Sequence, residues 1–221
     1  MKRRIRLTVT VVVILVAAIF GGIKKKSYTN IAAGDYFSTV QVAELPGEMA
    51  AGTCEELENQ LPEVPVILRV TAIDEIEHFF GGSRQRVSVN EVYRGEKMNV
   101  GEELYLYSAH WRLNATEDPA VLGRGFVNIM DTGVEYLVFL TGQVEDLYGN
   151  TPVCQLYDDA LIAPVFCYES RKNEIIPTNG ETTCVSYEKV KNNEFFGEDE
   201  MAVEAFEQLK EKMLAKYPQK Q

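Results

Sequence analysis

The chain has little of what catalytic and metal sites are usually built from: 2 histidines, 4 cysteines and 1 tryptophan in 221 residues. His78 and His110 stand in separate segments, and neither belongs to an H-E-x-x-H motif, so no zinc hydrolase signature is present. No cysteine pair has C-x-x-C spacing, which removes a thioredoxin-type redox pair and a zinc ribbon. There is no G-x-S-x-G, and Leu122-Gly123-Arg124-Gly125 lacks the third glycine and the Lys-Ser/Thr of a phosphate-binding loop. Nothing therefore predicts a catalytic residue, a metal ligand or a cofactor, and the chain reads as non-enzymatic. Basic residues are also scarce past the amino terminus. Residues 1–26 hold seven bases and no acid, leaving 15 bases against 33 acids beyond them, a formal charge of −18. A body so acidic, with no basic stripe, repels phosphate backbones and excludes nucleic acid as a partner.

Long hydrophobic runs are equally rare, with one exception. Leu7 to Ile23 carries no charge and is flanked by Lys2, Arg3, Arg4 and Arg6 before it and Lys24, Lys25 and Lys26 after it. As a helix the run spans roughly 25 Å, a little short of a ~30 Å hydrocarbon core, and snorkelling Lys and Arg cover the difference. No A-x-A site follows, and lysines stand where cleavage would fall, which favours an uncleaved signal anchor over a signal peptide. The small excess of positive charge on the amino-terminal side orients it with residues 1–6 in the cytoplasm. The expected partition is a basic tail (1–6), a transmembrane anchor (7–23), a stem (24–51) and an ectodomain (52–221), with the lipid bilayer as first partner and the cell membrane as location.

With 46% hydrophobic and 25% charged residues, the remainder suits one globular domain. Cys54, Cys154, Cys167 and Cys184 form an even set beyond the anchor, allowing two disulfides in an oxidising compartment. Cys54 with Cys184 would close a long loop, and Cys154 with Cys167 would staple a hairpin; four buried thiols are the alternative.

Hydrophobic periodicity predicts mostly strands. In the stem a short strand is possible at Tyr36 to Val42. Thr53 caps a short helix at Glu55 to Gln60. Val66 to Ile76 opens as a continuous apolar run, Arg86 to Val92 alternates with a β-bulge needed near Asn90, and Leu104 to Tyr107 alternates leucine with tyrosine. A long insertion, Ser108 to Thr132, precedes the apolar Glu135 to Leu140. Val153 to Leu156 and Leu161 to Tyr168 suggest a hairpin around Asp158 and Asp159, and Thr183 to Tyr187 a last strand. The carboxy terminus changes period: Ala202, Phe206, Leu209 and Met213 mark an amphipathic helix over about 199–216, with acids at its start, lysines near its end and Pro218 beyond it.

These elements make a mainly β fold, a small OB-like barrel with a carboxy-terminal helix, preceded by one transmembrane helix. The segments V-Y-R-G-x-x-x-x-V-G-E-E-L (from Val92) and G-V-E-Y-L-V-F-L (from Gly133) resemble secreted OB-fold domains of the tissue-inhibitor/netrin-like type over roughly residues 64–165. The tail from Tyr187, with N-N-E-F-F before the helix, resembles bacterial membrane-anchored proteins of unassigned function. Proteinase inhibitors of that family use an amino-terminal C-x-C whose amine chelates zinc, and this chain has none. The resemblance implies a fold and does not extend to inhibition.

Candidate binding residues follow from the surface that remains. His110 and Trp111 on the insertion, and Tyr105 and Tyr107 facing outward on a barrel strand, are expected to contact an envelope protein or glycan. Mutating Trp111 is expected to affect binding and not folding. Two alternatives stand beside this reading: an envelope hydrolase using insertion carboxylates such as Glu117 and Asp118, and a self-associating structural protein.

Overall fold

Strand order explains most of what the sequence does. In the computed structural model, which describes residues 36–220 apart from 44, 80–81, 112, 115–119, 124, 145–150 and 177–183, eleven strands form two sheets. The larger contains β2 (Val66–Ala72), β3 (Glu77–Phe79), β4 (Gly82–Arg94), β5 (Glu103–Ser108), β8 (Glu135–Val144), β9 (Val153–Leu156) and β10 (Val165–Cys167). Five of these pair in the cycle β2-β4-β5-β9-β8 and back to β2, so the sheet closes on itself as a barrel. Only β5 and β9 run parallel; every other neighbour in the ring is antiparallel. The protein is thus mainly β with a closed five-stranded barrel, consistent with a small OB-like barrel.

Residues paired across a ladder share a face, and the register shows which face is the interior. Leu68, Val70 and Ala72 of β2 lie level with Val138 and Tyr136 of β8 and with Val89 and Val87 of β4. Leu104 and Leu106 of β5 continue that layer to Cys154 of β9. All are buried. The bulge expected near Asn90 is present: Arg69 pairs with Glu91 and Val70 with Val89, leaving Asn90 as the extra residue. A second shift lies between Ile67 and Leu68, whose partners Arg94 and Val92 leave Tyr93 over.

Two helices cover the outside of β2 and β8, where Ile67, Leu137 and Phe139 would otherwise meet water. They are α1 (Gly47–Gln60) and α3 (Glu200–Lys216), with the short α2 (Tyr187–Val190) between them in the chain. Asp199, expected within the helix, instead caps α3 by accepting from Ala202 N at 2.8 Å. Ala202, Val203, Phe206, Leu209 and Met213 form the buried stripe. The two helices run side by side in the same direction, since the Asp199 carboxylate lies against Gly47 and Lys212 pairs with Glu58. A Cβ at Gly47 would stand 2.5 Å from that carboxylate, so any larger residue there would push the Asp199 side chain aside.

Three expectations need correction. Part of the stem belongs to the domain: β1 (Gln41–Ala43) is a sheet strand, and α1 begins at Gly47, so Thr53 is buried within the helix instead of capping it. One compact unit runs from Phe37 to the end of the chain. The insertion contributes β6 (Leu113–Asn114) and β7 (Val121–Leu122), which join β1 and β11 (Cys184–Ser186) in the smaller sheet, in the order β11-β1-β7-β6. β9 and β10 do not form a hairpin. Both pair with β8, so the chain leaves that edge after Leu156 and returns to it at Val165.

The pairing of Cys154 with Cys167 fails for the same reason. Cys154 lies opposite Gln143 and Cys167 opposite Tyr136. That is a separation along β8 of roughly 23 Å, against the ~7 Å that a disulfide tolerates between Cα atoms. No bond joins Cys54 to Cys184 either. Cys54, Cys154 and Cys167 are buried thiols, and burial pushes Cys54 up to about 12 and Cys154 up to about 11. Among the described residues no helix is long and apolar enough to cross a membrane; the run 7–23 lies outside them.

Candidate functional site

The outer face of β4 and β5 gathers the tyrosines with a set of charged residues. Alternation puts Val87 and Val89 inside, so Arg84, Arg86 and Ser88 point outward, level with Tyr107, Tyr105 and Glu103. The row extends to Glu77 of β3 on one side and to Gln155 of β9 on the other. The Arg84 guanidinium lies 4.3 Å from the centre of the Tyr105 ring and bonds Glu77 through Nε at 2.8 Å. Arg86 bonds Asp74 at 2.7 Å and approaches Glu103 at 3.4 Å. The bonded Asp74 carboxylate holds the Arg86 guanidinium even further above its ordinary range. Tyr107 lies flat on the β4 backbone, where a Cβ at Gly82 would come within 2.5 Å of its ring. Both tyrosines are half-buried, with their edges reaching solvent.

This face combines groups suited to binding. Guanidinium groups stacked on phenol rings offer planar donors and apolar ring edges in one plane, a combination found at recognition surfaces. Each arginine is oriented by a carboxylate, so the donors are held in place before a ligand arrives.

His110 and Trp111 are elsewhere. Trp111 is 1% exposed and donates from Nε1 to the Val127 carbonyl at 3.0 Å, and His110 is 5% exposed. Together they close one end of the barrel over Ser83, Gln85 and Ser108. Ser83 Oγ donates to the Trp111 carbonyl at 2.8 Å, the Ser108 hydroxyl accepts from His110 N at 3.0 Å, and Gln85 Nε2 donates to Met130 O at 2.7 Å. Neither residue belongs to the tyrosine face, and the expectation that Trp111 serves binding alone is corrected to a core role. Glu117 and Asp118 lie outside the described residues.

One arrangement has the outline of a nucleophile and its base. His78 Nδ1 lies 2.7 Å from Ser83 Oγ. The serine is fully buried, and its own proton is committed to the Trp111 carbonyl, so the imidazole donates and has no proton to accept. Burial also lowers His78 to about 4, keeping the ring neutral.

The N-N-E-F-F segment contributes an internal knot. Asn193, Glu194, Phe195 and Phe196 are all buried. Glu194 accepts from Cys167 N at 2.7 Å and pairs with Lys210, which also bonds the Glu169 carbonyl at 3.0 Å. Burial pushes the Glu194 carboxyl up, while Lys210 and the Cys167 amide pull it back. Asn173 accepts from both Glu194 N and Phe195 N, tying the 169–174 loop down. These contacts fasten α3 and that loop to β10. Among the described residues no three His, Cys, Asp or Glu side chains converge as a metal site.

Sequence reasoning found Tyr105 and Tyr107 and overlooked Arg84, Arg86 and Glu77. The signal was available in R-Q-R-V-S-V, where the valines that mark the interior also place both arginines outside. Compared with known proteins, the chain matches no family model and no curated protein.

Proposed function

We propose that this chain is a non-catalytic, membrane-anchored protein of the cell envelope whose OB-like domain binds a protein or glycan partner outside the membrane. Residues 7–23 are the anchor and residues 1–6 the cytoplasmic tail. The reading is carried by one observation: Arg84 stacked on Tyr105, beside Tyr107 and Arg86, on the outer face of strands β4 and β5. Elsewhere the domain is strongly acidic, and a paired arginine–tyrosine surface on such a body favours a partner with polar acceptors and flat apolar faces. The fully buried Ser83, with its proton committed to the Trp111 carbonyl, has no route to a substrate and supports a non-catalytic reading.

The test uses full-length protein in detergent micelles, applied to an array of envelope glycans and peptides. Arg84→Ala with Tyr105→Ala is expected to weaken capture about ten-fold or more, equivalent to about 1.4 kcal/mol, while near-ultraviolet dichroism stays unchanged. Undiminished capture by a folded double variant would sink the assignment.

A further inference from the structure

Beyond the end of α3, the last four described residues lie across the barrel as an extended strap. Tyr93 Oη donates to the Pro218 carbonyl at 2.6 Å, and Tyr168 Oη donates to the Tyr217 carbonyl at 2.8 Å. The Tyr217 ring packs on Tyr93 and Phe139, with centroids 5.3 and 5.8 Å away. Gln219 Nε2 donates to Glu135 at 2.6 Å, and Lys220 pairs with Glu91 while its ammonium stands 5.4 Å from the Tyr93 ring centre. Beneath the strap runs a polar row on the outside of β2, β4 and β8, in which Arg69 bonds Glu135 at 3.2 Å and lies 3.6 Å from Glu91.

Three features set this apart from a helix end that merely rests on the surface. The strap forms no sheet ladder: it is held through its carbonyls by two tyrosine hydroxyls, contacts that any extended peptide can supply. The row beneath carries two carboxylates against one guanidinium, a surplus of one negative charge that Lys220 offsets from a largely exposed position. The fit is also loose, since Arg69 Nε and Glu91 Oε2 face each other at 3.6 Å, an ion pair too long for a hydrogen bond.

We propose that Tyr217–Lys220 is a ligand held in cis, occupying a second binding surface on β2, β4 and β8 whose external partner is an extended peptide segment with an aromatic ring followed three residues later by lysine or arginine. The ring fills the place beside Phe139 and Tyr93, the basic group meets Glu91, and the tyrosine hydroxyls hold the peptide backbone. A tethered tail acts at an effective concentration on the order of mM, so it masks the surface from weaker ligands until displaced.

The experiment uses the full chain in detergent micelles and a fluorescent peptide, Tyr-Pro-Gln-Lys-Gln, followed by anisotropy. A chain ending at Lys216 is expected to bind the peptide about ten-fold more tightly than the intact chain. Glu91→Gln in that shortened chain is expected to reverse most of the gain, as is replacing the peptide's lysine by glutamine. Equal affinity for intact and shortened chains overturns the proposal, as does a gain indifferent to both replacements. If the shortened chain loses its near-ultraviolet dichroism, the full-length Gln219→Ala, Lys220→Ala variant decides. Tighter peptide binding than the intact chain supports the proposal, and unchanged binding refutes it.

Discussion

Trp111 illustrates how far a residue's type can mislead about its role. A single tryptophan beside a histidine on a polar insertion has the composition of a recognition surface, yet its indole stops one end of the barrel and its N–H is spent on the Val127 carbonyl. Trp111→Ala is therefore expected to cost about 3–5 kcal/mol of stability, the range for emptying a large aromatic site. Urea unfolding checks this, and a midpoint unchanged from the parent would return Trp111 to the surface. His78 gives a pH dependence whose sign is definite. Its folded value of about 4 lies below the ordinary 6.5, so between those limits the unfolded chain binds more protons. Stability attributable to His78 is intact above pH 6.5 and falls as the pH drops toward 4, by about 2 kcal/mol after allowing for partial exposure. His78→Gln should flatten that part of the urea-midpoint profile between pH 7 and 4.5; an unaltered slope would point to another group.

Among the elements, the carboxy-terminal helix was the most legible. Its apolar positions, acidic start and following proline are local signals, and Asp199 completes them as the cap one residue before the helix begins. Asp199→Ala is expected to lower stability by about 1 kcal/mol, measured by thermal or urea unfolding. A loss near zero would mean that α3 is held by its buried stripe alone. The bulge at Asn90 was legible too, because Val92 breaks the alternation of Val87 and Val89 and only an extra residue restores it. The start of α1 was not. Gly47-Glu-Met-Ala-Ala-Gly sets good helix formers between two glycines with no long apolar side chain but Met49, so it reads as stem, and what fixes it as helix is contact with α3, including the Asp199 carboxylate over Gly47. β9 and β10 look like a hairpin in sequence because two apolar runs flank an acidic turn. Their shared edge on β8 is a long-range pairing that no local pattern announces.

For the whole molecule, the charge division is the feature with the largest consequence. Seven bases and no acid in residues 1–26 face a formal −18 in the rest, and the proposed topology rests on how those bases divide, four before the apolar run and three after it. A tag placed after Gln221, with protease applied to intact spheroplasts, is expected to be lost from the cells as cleavage in the 24–36 segment sheds the domain. Protection of the tag until lysis would place the domain inside and move the search for partners to the cytoplasm.

What the sequence determined by itself is whatever depends on neighbours along the chain: the basic-flanked apolar run, the strand alternation, the bulge, the terminal helix, and the outward tyrosines of β5. Each follows from a periodicity or charge pattern a few residues long. The tertiary structure alone decided which apolar residues cap the barrel, that Cys154 and Cys167 stand opposite distant positions of β8, that Arg84 lies over Tyr105, and that the last residues return across β2, β4 and β8. These depend on register and on closure of the sheet, which join residues tens to more than a hundred positions apart. Tyr93 and Pro218 meet because the barrel and α3 bring them together; nothing within reach of either along the chain encodes it.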